Sequence, residues 1–302
     1  MMLAVAAFLL FALPSANAVP IYTTLPLPPG TGGPKSVAFD LHGGFIDFAF
    51  TAETRNKTFC DGRNATADAE VGLIGGRPLG IAFNSTQFLY ICDAYLGLYA
   101  VSPLGGRATR LASSAEGAAI RSCNGLDVDP KTGAVYFTDA SANYLLSNAT
   151  QAALNEDRTG RLLRFDPRTG QVAMLARELS GPGGVAVAGD SSYVLITEFI
   201  GGTVKKFFLT DSRANTIQTL LNIASASTIR RTAGGEFTVT ERVRPFTHRA
   251  LRIDANGTVM ANVSIGGPYN DVNVVTGVQI YGLFAYVGSL YADFVGQVLG
   301  LF

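Results

Sequence analysis

Short runs of alternating hydrophobic and polar residues recur along the chain in pairs, and a polar turn separates the two runs of each pair. The clearest pairs are residues 77–83 with 88–93, residues 123–129 with 134–139, and residues 183–187 with 193–198. A two-residue hydrophobic period predicts strands that each bury one face. Because the pairs recur about every 45–60 residues, they predict an array of small sheets, which is typical of a β-propeller.

Runs of this kind open six prospective blades. They start near Pro34, Arg77, Cys123, Pro182, Ser227 and Val275. The run after Pro34 passes almost at once to residues 45–50, which resemble a last strand, and the missing middle strands would need roughly 20 more residues. The pattern therefore predicts an all-β, six-bladed β-propeller with a shortened, incomplete first blade. We expect residues 147–157 to form a loop or helical turn over one end of its channel.

The N-terminal residues indicate the secretory route. Residues 2–13 are apolar but too few to span a bilayer, and Ala16-Asn17-Ala18 has the small-x-small pattern of a cleavage site. We therefore expect residues 1–18 to be a signal peptide and residues 19–302 to form one propeller domain. The expected location is the secretory pathway, ending in the vacuole or the extracellular space.

Asn-x-Ser/Thr sequons agree with secretion and predict N-linked glycans at the surface. The six sequons are at Asn56, Asn64, Asn84, Asn148, Asn256 and Asn262. Three cysteines, Cys60, Cys92 and Cys123, allow one disulfide in an oxidising compartment. The pair Cys92 and Cys123 is favoured, because one ends an inner strand and the other opens the next blade.

Composition narrows the class of partner. The chain has 302 residues, of which 48% are hydrophobic and 15% charged, and its formal net charge is zero. Such a chain can bury a large core, and nothing in its charge favours a nucleic acid or an anionic membrane surface. No apolar stretch after residue 18 is long enough for a membrane helix. We expect a monomer that takes a small-molecule substrate in its channel.

Several phrases in the middle of the chain also match a known family. They are Gly76-Arg77-Pro78-Leu79-Gly80, Leu89-Tyr90-Ile91-Cys92-Asp93, Val135-Tyr136-Phe137-Thr138-Asp139, Thr159-Gly160-Arg161-Leu162-Leu163 and Gly181-Pro182-Gly183-Gly184. As a set, they resemble strictosidine synthase and the plant strictosidine synthase-like proteins. The resemblance implies a six-bladed propeller and, for the founding activity, condensation of an aryl-ethylamine with an aldehyde by a buried glutamate that moves protons.

Two departures from that family pattern bear on activity and on cysteine pairing. Counting back from the Gly288-Ser289-Leu290 phrase places Thr276 at the position of the catalytic glutamate, and threonine has neither the acidity nor the basicity to replace it. The family also joins the cysteine matching Cys60 to a second cysteine whose position here is Gly75. We therefore expect neither the condensation reaction nor that disulfide.

A broader resemblance is to six-bladed lactonases and arylesterases of the paraoxonase and gluconolactonase type, which hold calcium in the channel with Asn, Asp and Glu ligands. Asn124 and Asp139 occupy matching positions. In the following blades the matching residues are Gly183, Ser227 and Thr228, which supply no charged cage. We therefore expect no tightly bound metal and no cofactor.

Polar and aromatic residues at the ends of the predicted strands are candidates for the site. Glu198 and His248 are candidate catalytic residues. The candidate substrate-binding residues are Asn124, Asp139, Tyr95, Tyr136, Phe199 and Thr276. The carboxylates that end successive second strands have an alternative interpretation, since a buried carboxylate can accept backbone N–H bonds and hold a turn. Aromatic residues at strand ends can likewise pack between blades.

Three functions remain open on these residues. The first is hydrolase-like action on a small ester, lactone or glycoside in the channel. The second is amine–aldehyde condensation in alkaloid biosynthesis, which Thr276 opposes. The third is a non-catalytic propeller that binds a small molecule or a protein.

Overall fold

The structure is a computed structural model of the chain. It describes residues 21–29, 33, 35–39, 48–53, 57–60, 62–243, 247–269 and 274–302. The predicted signal peptide, the first-blade segment 40–47 and the sequon at Asn56 lie outside these residues. No helix in the described residues is long and apolar enough to cross a membrane.

Short strands make up most of the described chain. The first twelve are β1 Tyr22–Pro26, β2 Ala49–Phe50, β3 Pro78–Phe83, β4 Leu89–Asp93, β5 Gly97–Val101, β6 Gly106–Arg107, β7 Thr109–Ala112, β8 Ser114–Ala115, β9 Ala118–Ala119, β10 Cys123–Val128, β11 Val135–Asp139 and β12 Gly160–Asp166. The next twelve are β13 Gln171–Leu179, β14 Pro182–Val187, β15 Tyr193–Glu198, β16 Thr203–Phe208, β17 Ile217–Asn222, β18 Ile229–Arg231, β19 Phe237–Val243, β20 Thr247–Ile253, β21 Val259–Ser264, β22 Val275–Tyr281, β23 Phe284–Ser289 and β24 Phe294–Leu299. The helices are α1 Lys57–Cys60, α2 Ala69–Gly75 and α3 Ala149–Leu154, and a 3-10 turn covers Leu146–Asn148.

The described residues form five four-stranded antiparallel sheets, which are the blades of a propeller. We call them blade A (β3-β4-β5-β7), blade B (β10-β11-β12-β13), blade C (β14-β15-β16-β17), blade D (β18-β19-β20-β21) and blade E (β22-β23-β24-β1). Blade E takes its outer strand from the start of the chain, where Tyr22 lies opposite Val298. The two ends of the described chain are thus hydrogen-bonded in one sheet.

The prediction of six blades is wrong in number, since the described residues contain five. Residues 35–39 form no strand, and they lie between blades E and A. There the Ser36 hydroxyl donates to the Leu79 carbonyl at 2.6 Å, and the Phe39 ring stacks on Tyr281 at 4.4 Å. The two residues of β2 pair in parallel with β6 at the edge of blade A. The 30 residues between β1 and α1 are fewer than the 35 to 57 residues over which blades A to D extend.

Glycines allow the innermost strands of neighbouring blades to approach closely. A Cβ atom on Gly125 would lie 2.4 Å from the Gly183 carbonyl oxygen, and one on Gly184 would lie 2.5 Å from the Ile229 nitrogen. A side chain at either position would push two blades apart. The glycines that open the repeated sequence phrase therefore mark the surfaces on which blades meet.

Buried apolar side chains fill the space between blades. Between blades A and B, for example, Leu98, Leu126 and Phe137 are fully buried in one cluster. A disulfide joins Cys92 of β4 to Cys123 of β10 across the same interface, with a Cα–Cα distance of 5.2 Å. This is the pair that the strand positions favour in the sequence.

Candidate functional site

A cavity of about 480 Å³ lies at the end of the channel where the first strands of the blades begin. All five blades and the segment 35–39 contribute to its wall. The lining residues that come from the segment 35–39 and from the start of each blade include Lys35, Leu79, Asn124, Gly183, Ser227 and Thr276. A cavity with a wall from every blade is expected only if the sheets surround one axis, so this arrangement positions the candidate site.

Helix α3 and the residues before it cover part of the cavity. Leu145, Leu146, Ala149 and Ala152 all lie on its wall. The chain turns into this cover at Ser141, whose hydroxyl oxygen accepts the backbone N–H groups of residues 143 and 144 at 3.0 and 2.9 Å. The sequence predicts a loop or helical turn in this part of the chain, and the side chains of the cover make this end of the cavity apolar.

Irregularities in the first strands aim residues into the cavity. The pairing of β10 with β11 shifts between Cys123 and Leu126, and that of β22 with β23 shifts between Val275 and Gly277. Blades A and C have a shift at the corresponding place. Bulges of this kind redirect side chains, and they are common beside functional sites. Asn124 and Thr276 lie within two of these shifts, which explains why both reach the cavity.

Asn124 and Thr276 bring polar atoms without partners into this wall. Asn124 Oδ1 and Thr276 Oγ1 are buried, and neither has a hydrogen-bond partner among the described residues. A buried polar group without a partner costs free energy, so such groups are expected to bind a ligand or ordered water. These two atoms are therefore the natural contacts for a polar group of a bound molecule.

Lys35 is a site residue that the sequence interpretation does not identify. It is only 6% exposed and lies on the cavity wall. Burial, together with the positive charges of Arg230 and Arg77, lowers the pKa of Lys35 to about 7. Its backbone is held between two blades, because a Cβ on Gly277 would lie 2.4 Å from the Lys35 carbonyl oxygen and Ser36 bonds to blade A. The sequence does contain one indication of Lys35, since it is the charged residue directly after Pro34, where the first blade is predicted to begin.

The charge of the described cavity wall is positive. Arg242 is positively charged, Lys35 adds a positive charge below its pKa of about 7, and no aspartate or glutamate of the described residues lies on the wall. No group of three or more His, Cys, Asp or Glu residues in the described chain could hold a metal ion. The arrangement therefore suits an anionic or carbonyl oxygen of an otherwise apolar molecule.

Of the candidate residues from the sequence, Asn124, Phe199 and Thr276 lie on the cavity wall. Phe199 is 41% exposed, so its ring is accessible at the opening. Asn124 and Thr276 come from opposite parts of the chain, and only the closure of the blades around the channel brings them together.

Glu198 and Asp139 do not lie on the cavity wall. The Glu198 carboxylate accepts from the Ser180 backbone N–H at 2.8 Å and from the Thr203 hydroxyl at 2.6 Å. Asp139 accepts from the Ser122 backbone N–H at 2.8 Å and pairs with Arg161. Each carboxylate therefore holds the turn that leads into the first strand of its own blade.

Asp93 shows the same arrangement in blade A, where it accepts from the Arg77 backbone N–H at 2.9 Å. The threonine before the acid is also repeated. Thr138 donates to the Gly183 carbonyl, and Thr197 donates to the Ser227 carbonyl, both at 3.0 Å. The Thr-Asp or Thr-Glu phrase thus joins one blade to the next and closes its own turn, which is the structural interpretation of the repeated carboxylates.

The remaining three candidates lie away from the cavity. The Tyr95 hydroxyl donates to the Ala65 carbonyl at 2.8 Å, and the ring packs against Gly72 of α2. Tyr136 is buried in the apolar cluster between blades B and C. His248 is 2% exposed on β20, where it lies opposite Arg242 in the strand pairing.

The surface positions of the sequons differ. Asn64, Asn148, Asn256 and Asn262 are exposed, whereas Asn84 is half-buried. The Asn84 Oδ1 atom accepts from the backbone N–H groups of Thr86 and Phe88. Four of the described sequons therefore present an accessible amide for a glycan.

Comparison with known proteins gives sequence relatives over most of the chain. A family model described as strictosidine synthase matches residues 124–212. Protein strictosidine synthase-like 12 of Arabidopsis thaliana is 33% identical over 303 residues, which cover 91% of this chain and 89% of that protein. Strictosidine synthase of Catharanthus roseus is 32% identical, with 84% of this chain and 74% of that protein covered.

Solved structures with this fold are more distant in sequence. A gluconolactonase from Xanthomonas campestris has a TM-score of 0.56 at 15% identity, with 73% of this chain and 71% of that chain covered. Regucalcin from Agrobacterium tumefaciens, a calcium-binding protein, has a TM-score of 0.54 at 14% identity, with 72% and 74% covered. At these identities the likeness concerns the fold alone, and it agrees with the propeller.

Proposed function

This chain belongs to the strictosidine synthase-like family, and from that premise we propose that it binds a small carbonyl or carboxylate compound in its channel cavity. One observation carries the proposal. Asn124 and Thr276 bring buried polar atoms without partners to a wall whose described charges are Lys35 and Arg242. The Thr276 hydroxyl and the Lys35 and Arg242 side chains can donate to a carbonyl or carboxylate oxygen, whereas Asn124 Oδ1 can accept from a hydroxyl group or water beside it. The apolar body of the ligand would lie against α3 and its preceding turn.

Binding is tested with a set of matched probes. Phenyl acetate and phenylacetate carry the oxygen that the proposal requires, and benzyl alcohol is a similar molecule without a carbonyl. Calorimetry should detect binding of the first two, and Thr276→Val, which removes the hydroxyl donor, should weaken it by about 2- to 10-fold, the value of one hydrogen bond. Thr23→Val, at an exposed position of β1, is the matched control. Equal affinities in the two variants would contradict the placement of the ligand.

Hydrolysis of a small ester or lactone is a second candidate, and Lys35 is the observation that favours it. An amine with a pKa of about 7 can accept a proton from an attacking water near neutral pH. We propose Lys35 as this base, because it lies on the cavity wall whereas Glu198 and His248 do not.

Turnover of phenyl acetate should fall strongly in Lys35→Met and stay near wild type in folded Glu198→Gln, with the melting temperature of each variant as the check on folding. Lys131→Met removes an exposed lysine and controls for the loss of one positive charge. Loss of turnover in Glu198→Gln with a normal melting temperature would assign the reaction to Glu198 instead. Amine–aldehyde condensation ranks lower, since no carboxylate of the described residues lies on the wall.

We further propose that the chain enters the secretory pathway, reaches the vacuole or the extracellular space, and carries glycans as a monomer. The exposed sequons at Asn64, Asn148, Asn256 and Asn262 and the disulfide between Cys92 and Cys123 support this route. Treatment of the plant-expressed protein with an endoglycosidase should lower its mass. An unchanged mass would contradict the glycans, and light scattering would check the oligomeric state.

A further inference from the structure

Lys35 is the only lysine on the described wall of the channel cavity. No hydrogen bond or ion pair joins it to another described residue, so its amine is available to a small molecule in the cavity. The other well-buried lysine of the described chain, Lys206, differs in this respect. Its Nζ donates to the Ala255 carbonyl at 2.9 Å and lies 3.9 Å from the centre of the Tyr193 ring.

Among the described residues, the charged groups that act on Lys35 are arginines. Arg230 of β18 and Arg77, which precedes β3, both act on Lys35 with positive charge. Arg242 of β19 is on the same cavity wall. The acids that act on these arginines are Asp127 for Arg230 and Asp93 for Arg77. Neither acid lies on the described wall, so a positive charge on Lys35 is repelled and a negative charge there would be attracted.

Burial and this repulsion hold Lys35 largely in its neutral form, since its pKa is about 7. At pH 7.5 most of such an amine is neutral. At the same pH, the neutral fraction of an ordinary lysine is about 10²- to 10³-fold smaller. The free lone pair that a nucleophilic amine requires is therefore present at Lys35 under physiological conditions.

We propose that Lys35 is a carbamylation site, at which carbon dioxide adds reversibly to the amine inside the channel cavity. Lys35 Nζ forms a bond to the carbon of CO2, one C=O double bond opens, and its electron pair stays on that oxygen as the negative charge. One proton leaves Nζ for water. The product is a carbamate with two carboxylate-like oxygens, and no oxidant or reductant takes part.

Two properties of the site favour the product. CO2 is small and apolar, so it enters a largely apolar cavity without losing hydrogen bonds to water. The carbamate places at Lys35 a negative charge that Arg230 and Arg77 attract. Carbamylation would also supply the base-like carboxylate that the described cavity wall lacks. The inference is independent of which organic molecule the cavity binds.

The test uses the full chain in buffer equilibrated with 13C-bicarbonate near pH 8. Carbon-13 NMR should show one protein-bound carbamate signal that disappears on acidification and returns when the pH is restored. Ethylation of the carbamate with triethyloxonium, followed by peptide mass spectrometry of the wild-type protein, should place the adduct on Lys35. This step needs no variant, so a failure of folding cannot confuse it.

Variants then check the assignment. Lys35→Arg keeps a long basic side chain at this position but removes the nucleophilic amine, and it should abolish the signal. Lys206→Arg should keep the signal, because that lysine is already bonded to a carbonyl. The absence of an adduct on Lys35, or equal trapping on Lys35 and exposed Lys131, would overturn the proposal. A chain that binds carbonyl probes but forms no carbamate would keep the proposed function and lose this inference.

Discussion

Replacement of Asp139 by asparagine separates the two interpretations of the repeated carboxylates. Asp139 is fully buried at the end of β11, and its Oδ2 atom lies 2.5 Å from one terminal nitrogen of Arg161 and 3.2 Å from Nε. If the carboxylate is structural, Asp139→Asn should reduce the free energy of unfolding and leave the channel cavity unchanged. If it serves the ligand, binding should fall while stability changes little.

The expected loss follows from what the substitution leaves behind. Arg161 is 5% exposed, and without Asp139 its described partner is the Ala119 carbonyl, at 2.6 Å. Removing one member of a buried ion pair strands the other charge and costs about 3–5 kcal/mol. Burial raises the pKa of Asp139, which shows that the ionised carboxylate is itself unfavourably desolvated. The double variant Asp139→Asn with Arg161→Met should therefore recover part of the loss.

Urea denaturation followed by fluorescence or circular dichroism measures this change. Asp166→Asn is a suitable control, because Asp166 pairs with Arg168 at 3.1 Å where Arg168 is 75% exposed. Such surface pairs contribute about 0–1 kcal/mol. Equal losses in Asp139→Asn and Asp166→Asn, or a loss of ligand affinity in Asp139→Asn without a loss of stability, would refute the structural interpretation.

Three other perturbations have defined outcomes. Lys35→Met should stabilise the protein most below pH 7, by at most about 5 kcal/mol, because the folded chain holds the Lys35 proton less tightly than the unfolded chain. The gain in stability should disappear as the pH approaches 10.5. A pH-independent difference in CO2-free buffer would contradict this prediction. Gly75→Cys should form a disulfide with Cys60, since a Cβ atom at position 75 would lie 2.5 Å from Cys60 Sγ and 3.6 Å from Cys60 Cβ. Two free thiols in a thiol titration of this variant would disprove the disulfide. Gly125→Ala should lower the melting temperature, because the new Cβ meets the carbonyl of the next blade at 2.4 Å, whereas Gly133→Ala has open space and tests backbone strain alone.

The strand pairs and their glycines could be predicted because they depend on short stretches of sequence. Period-two runs identify β10 and β11, and Gly125 marks where one blade touches the next. The number of blades could not be predicted in this way. An opening run such as the one after Pro34 looks the same whether or not the chain that follows can complete a sheet.

The site was predictable only in part, for a related reason. Asn124 is identified from its place at a strand opening and Thr276 from its distance to the Gly288-Ser289-Leu290 phrase, and both lie on the cavity wall. Glu198 is equally prominent in the sequence, because an acidic residue recurs at the end of the second strand of successive blades. In the structure this recurrence arises because each acid closes a turn in its own blade. The importance of Lys35 comes from its burial against Gly277, a contact between residues far apart in the chain that no local pattern contains.

The sharing of blade E between β1 and β24 sets a condition on synthesis of the protein. Tyr22 can pair with Val298 only after Val298 has been synthesised. At about 5–20 residues per second, the ribosome needs roughly 15–55 s to make the intervening chain. During that time the nascent N-terminal strand has no partner on this edge and is open to mispairing with other chains. Its terminal proline has no N–H to donate, which limits such pairing at that end of the strand. Folding yield should thus depend on chaperones that act late, when the final strand emerges.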